Sequence, residues 1–156
     1  MSIVSAIYDA RTTWIVADAD KGEVSIGLEF CGNQYSGHAK LHPNDKDFFS
    51  YKVGRQIATS RARIQILRAE INKAKQIYNN KYAFYQEVTG FGSRVPAEID
   101  PTGTLLRNVI RSQRRVDFLK EALKEEENNL RDYLEGQAKA IASVQRFRNK
   151  DKDSNS

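Results

Sequence analysis

From about Phe48 to Val88, apolar residues recur every seven positions, at Ile57, Ile64, Ile71, Tyr78 and Tyr85. A companion set runs through Val53, Leu67, Ala74 and Val88, interrupted by Ser60 and Lys81. That spacing lays both sets along one seam of a long helix. After Thr104 the pattern returns at Val109, Val116, Leu123, Leu130 and Val144, flanked by Leu119, Tyr133, Ala140 and Phe147 and interrupted by Glu126 and Gln137. Two such helices joined by one loop predict an antiparallel hairpin.

The first 42 residues follow another rhythm. SAIYD, TTWIVAD, EVSIGLEF and QYSGHAKL mix β-branched and aromatic residues in partial alternation, which predicts three or four antiparallel strands in a meander. Turn material separates them at Asp9–Arg11, Asp18–Gly22 and Cys31–Asn33, and Gly22 can supply positive φ in a hairpin turn. The predicted fold class is therefore α+β, with an N-terminal β-meander followed by a long two-helix hairpin.

The predicted organisation is one domain over residues 1–148: a sheet over 1–42, a helix over 48–88, a loop over 89–103 and a helix over 104–148. Pro43-Asn44-Asp45 suits a turn and helix start, and Gly90 suits a left-handed helix end. Thr102 or Thr104 could cap the second helix. The loop TGFGSRVPAEIDPTG mixes glycine and proline with Phe91, Arg94, Val95 and Ile99, a combination that a purely solvating linker seldom carries. The final NKDKDSNS, within 149–156, is polar enough to predict disorder. A hairpin of two long helices has one mutual seam, so apolar surface is left over and self-association into a homo-oligomer is expected.

Charge is unevenly placed. Residues 1–47 hold four basic and seven acidic groups, residues 48–119 thirteen and five, and residues 120–156 eight of each. Between Lys52 and Lys81, Glu70 is the only acid among eight basic side chains. A positive middle beside an acidic start implies a localised anion-attracting patch. No apolar run approaches bilayer-spanning length, and the N-terminus has neither a basic region nor a hydrophobic core of the signal-peptide kind. Cys31 stands alone and can form no internal disulfide, which fits a reducing cytosol.

Catalytic chemistry finds little support. His38 and His42 lie four apart in a strand-like segment, about 13 Å from one another, without acidic or cysteine partners at ligand spacing. Asp18, Asp20 and Glu23 flank a turn, and Glu125, Glu126 and Glu127 form a run on the second helix. Neither set shows the fixed separation that acid–base hydrolysis needs. The Gly90/Gly92 pair lacks the strand–helix context of a phosphate loop. The expectation is a binder that is not an enzyme and needs no cofactor.

The arginines are the strongest candidates. Arg107, Arg111, Arg114 and Arg115 crowd the start of the second helix, and Arg107 and Arg111 share a face. Arginine there opposes the helix dipole, a conflict that a bound anion would relieve. Pairing with Glu87, Glu98 or Asp100 is the structural alternative. Phe91, with Tyr82 or Tyr85 nearby in sequence, could offer a stacking surface for a base.

A small sheet, a long helix opening with VGRQIATSRARI, an irregular loop and a second arginine-bearing helix resemble the first family of phage Thoeris anti-defence sponges. The motif-like part of the resemblance is GHAKLHPNDKDFFSYKVGRQIATSRARIQIL; over the rest it is architectural. The resemblance implies a non-catalytic oligomer in the cytoplasm of an infected bacterial host. Such a protein sequesters signalling nucleotides, namely cyclic ADP-ribose isomers and cyclic trinucleotides, at subunit interfaces. It further implies Phe91 as the stacking ring, Asp100 as a ribose-hydroxyl acceptor, Arg107 and Arg111 as phosphate ligands, and Arg55 or Arg61 as a supporting arginine. The alternatives are a nucleic-acid-binding accessory protein, for which Lys52 and Arg55 would open the binding helix, and a structural phage protein.

Overall fold

In the computed structural model, which describes residues 2–41, 50–90, 100 and 102–155, the chain is α+β. The elements are α1 (Ile3–Tyr8), β1 (Arg11–Asp18), β2 (Glu23–Phe30), β3 (Asn33–Lys40), α2 (Tyr51–Thr89) and α3 (Thr104–Ser154). The three strands form an antiparallel sheet in the order β1-β2-β3, and the two long helices form the hairpin.

Two local expectations give way. SAIYD was expected as a strand, yet Ile3–Tyr8 is helical. Ser2 caps that turn by accepting from the Ser5 amide at 3.1 Å, and Ile7 is fully buried. The cap and one buried anchor outweigh β propensity here. At the other end, NKDKDSNS was expected to be disordered, but α3 runs on to Ser154. Its lysines and aspartates are compatible with a solvated helix face. The expected helix start at Pro43–Asp45 lies outside the described residues. Within them, Ser50 Oγ accepts from the Val53 amide at 3.3 Å at the start of α2.

The turns follow the sequence. Gly22 has φ 66° and ends the first hairpin loop, where the Lys21 amide donates to Asp18 Oδ1 at 3.1 Å. Cys31 and Gly32, at φ 50° and 79°, join Phe30 to its partner Asn33 as a two-residue turn with both φ positive, matching the twist of the strands. Gly90 takes the left-handed conformation expected at the end of α2.

The described chain forms two compact units, Met1–Ile66 with Lys124–Ser156, and Leu67–Leu123. In the first, Val24, Ile26, Leu28 and Phe30 on β2 are buried with Ile7, Ala39, Ala58, Ala62 and Ile66. Ala58 and Ala62 lie off the heptad seam and face the sheet at Gly37, where a Cβ would come within 1.8 Å of the Ala58 carbonyl oxygen. The first part of α2 thus buries two faces, one of them made of small residues that let backbone meet backbone.

In the second unit, Leu67, Ile71, Ala74, Val109, Val116 and Leu119 are buried, as the two seams require. The seam fades elsewhere on α3: Val144 and Phe147 are exposed, Phe147 by 69%. No helix among the described residues is long and apolar enough to cross a membrane.

Candidate functional site

Lys52, Arg55, Thr59 and Arg63 succeed one another at spacings of three and four along α2, which aligns them on one face of the helix. That face, α1 and the sheet enclose a cavity of about 410 Å³, whose walls also include Tyr8, Thr12 and Leu28. No acidic side chain lines it among the described residues. Three cations around one concave surface set a strongly positive local potential, which favours anions. Thr12, Gln56 and Thr59 add neutral groups able to hydrogen-bond an oxyanion or a sugar hydroxyl.

Lys52 and Arg55 are exposed, whereas Arg63 is half-buried. The Arg63 guanidinium carbon stands 4.5 Å from the centroid of the Tyr8 ring, a cation–π contact. Its Nε is buried without a hydrogen-bond partner, an arrangement that costs about 1–3 kcal/mol. The Tyr8 hydroxyl donates to Glu126 Oε2, and the Ser60 hydroxyl donates to Glu126 Oε1 at 2.6 Å. Glu126 is 5% exposed, so a carboxylate is held behind the cavity wall by two hydroxyls. Burial, and after it the hydrogen bond to Glu126 and that carboxylate's charge, push the Tyr8 hydroxyl up to about 12. The Arg63 charge opposes that rise.

Of the six candidates read from sequence, Arg55 lines the basic cavity. Arg61 lies in the same unit but does not line it. Its Nη1 donates to the His38 carbonyl at 2.6 Å, tying α2 to β3, and it borders a separate cavity of about 220 Å³ with Ile57, Leu134 and Ile141. Arg107, Arg111 and Asp100 belong to the other unit. Both arginines are exposed, and Arg107 Nη2 donates to the Thr102 carbonyl. Asp100 Oδ2 accepts from the Leu105 and Leu106 amides at 3.2 and 3.4 Å, so this carboxylate, in place of Thr102 or Thr104, satisfies the first turn of α3. Phe91 lies outside the described residues. Tyr85 lines a cavity of about 280 Å³ with Lys81 and Phe84, while Tyr82 stacks on Tyr78 with ring centroids 5.9 Å apart.

Lys52 and Arg63 were visible as basic residues, and their alignment with Arg55 was legible in the helical spacing. Tyr8 was hidden by the strand assignment of SAIYD. His38, read as a poor metal ligand, has Nδ1 2.6 Å from Ser25 Oγ, and no cluster of three metal-binding side chains occurs among the described residues. No family model, curated protein or solved structure matches the chain.

Proposed function

We propose that this protein binds and sequesters a small phosphorylated signalling nucleotide without altering it chemically, acting in the cytoplasm of an infected bacterial host. The supporting observation is the cavity between α1, the sheet and α2, which Lys52, Arg55 and Arg63 all line and whose wall holds no acidic side chain among the described residues. Its volume of about 410 Å³ falls within the range of small-ligand sites. Cyclic ADP-ribose isomers and cyclic trinucleotides are the ligands that the sponge resemblance implies. Phosphates would meet Lys52 and Arg55 at the exposed side and Arg63 at the half-buried side. Binding of this kind requires no proton-transfer group.

A homo-oligomer is part of the proposal. Leu106, Ile110 and Phe118 on α3 are large apolar side chains left exposed, the kind of surface that a further copy covers.

The test is to incubate the purified protein with extract from cells whose TIR-domain defence is active, wash it, denature it by heat and analyse the released molecules by mass spectrometry. An intact cyclic nucleotide in the eluate supports sequestration; a hydrolysed product or an empty eluate overturns it. Nucleic-acid binding is separated by salt, since its affinity falls with a slope of about 0.9 per neutralised phosphate and a compact ligand neutralises few.

A further inference from the structure

We infer that Glu126 is a positioning residue for the anion site: the buried carboxylate anchors the Tyr8 hydroxyl, and the anchored ring holds the Arg63 guanidinium at the cavity. This rests on the cavity being the binding site. Tyr8 and Arg63 both line that cavity, whereas Glu126 and Ser60 border a neighbouring one of about 100 Å³ that Arg63 also reaches. Arg63 therefore spans the two, with the carboxylate on one side and the proposed ligand on the other.

Arg63 needs such a support. Its guanidinium makes no hydrogen bond or ion pair to the described residues, and the Tyr8 ring at 4.5 Å is the contact that fixes it. A long side chain held in place before the ligand arrives loses less freedom on binding. The ring is fixed in turn because its hydroxyl donates to a carboxylate 118 positions away, whose other oxygen Ser60 holds. The role of Glu126 is to place Arg63, and it touches no ligand.

The experiment is calorimetric titration with inorganic pyrophosphate of the full chain and of Tyr8→Phe, Glu126→Gln and the double variant. Lys52→Ala and Ser60→Ala are measured beside them. Tyr8→Phe and Glu126→Gln should each weaken binding about tenfold, the scale of one hydrogen bond to a charged group. The double variant should lose no more than either single one, since both cut the same link. Ser60→Ala should lower the melting temperature and leave the affinity nearly unchanged.

Native affinity in Tyr8→Phe, or losses that multiply in the double variant, would overturn the inference while Lys52→Ala still weakens binding. A loss in Ser60→Ala equal to that in Tyr8→Phe would also overturn it, by assigning the effect to general loosening. If the unsubstituted protein fails to bind pyrophosphate, the cavity reading itself falls. Tyr8→Phe keeps the ring and removes one hydroxyl, so it decides the matter where Glu126→Gln does not fold.

Discussion

Ser60 Oγ donates to Glu126 Oε1 at 2.6 Å, joining α2 to α3 across 66 positions of chain. Each residue is a polar interruption of a largely apolar heptad series, and these two interruptions meet. A buried carboxylate without partners would be prohibitive; two hydroxyl donors make it tolerable, and they fix which residues of the helices stand opposite one another. Ser60→Ala leaves one carboxylate oxygen without this donor and should cost about 1–3 kcal/mol, read as a lower urea midpoint at unchanged slope. An unchanged midpoint would show that the two side chains do not meet in solution.

Tyr8 supplies a pH signature of the same cluster. Its hydroxyl is pushed from 10.0 to about 12, chiefly by burial and then by Glu126. The neutral phenol is the form the fold favours. Its contribution is therefore complete below pH 10, where the unfolded side chain would titrate, and is lost as pH rises through about 12. The difference in melting temperature between the native protein and Tyr8→Phe should stay constant from neutral pH to about 9 and then shrink over that alkaline window. A difference that does not change with pH would rule out the perturbed hydroxyl.

The helical hairpin was legible because the heptad repeat recurs in both long helices, and the sheet because its turns carry Gly22 and Gly32. The face of α2 that meets the sheet was not legible: Ala58 and Ala62 are too small to register as hydrophobic signal, although both are fully buried. The α1 turn was lost because Ile3, Val4, Ile7 and Tyr8 have strand-like propensity, and only the cap at Ser2 argues for a helix. At the candidate site, Arg55 was named through the sponge resemblance; the charge on α2 marks it only as one of eight basic side chains. Its convergence with Tyr8 and Arg63 depends on tertiary packing between α1 and α2, which no local pattern encodes. Asp100 shows the converse: a carboxylate read as a ligand acceptor is engaged by two backbone amides of α3.

Close approach at Gly37 makes a sharp prediction about the sheet–helix contact. A methyl group there would meet the Ala58 carbonyl oxygen at 1.8 Å and the Ala62 amide nitrogen at 2.7 Å, both of them backbone atoms that cannot rotate away. Gly37→Ala should destabilise the fold by about 3 kcal/mol, at the upper end of ordinary overpacking. Wild-type stability in chemical denaturation would mean that α2 does not rest on β3 in this way.

Gly27 faces a softer neighbour. An added Cβ would lie 2.1 Å from Nε1 of Trp14, whose indole covers this glycine on the other face of the sheet. A side chain can swing where a backbone cannot, so Gly27→Ala should displace the indole at a cost of about 1 kcal/mol. Trp14 is the single tryptophan and is already 43% exposed, so the displacement should appear as a further red shift of its emission. An unmoved spectrum would place the indole elsewhere.

The exposed apolar side of α3 bears on assembly. Leu106, Ile110 and Phe118 are 42%, 39% and 49% exposed, although Val109, Val116 and Leu119 already bury the opposite side of the same turns. A helix apolar on both sides is expected where one side packs within the chain and the other against a neighbour. Paired substitutions Ile110→Asp and Phe118→Ser should therefore lower the solution mass measured by light scattering to that of one chain. Far-UV circular dichroism should be unchanged, because both residues point away from the buried seam. A native protein that is already monomeric at high concentration would refute self-association. A substituted protein that keeps its oligomeric mass would assign the contact to another surface.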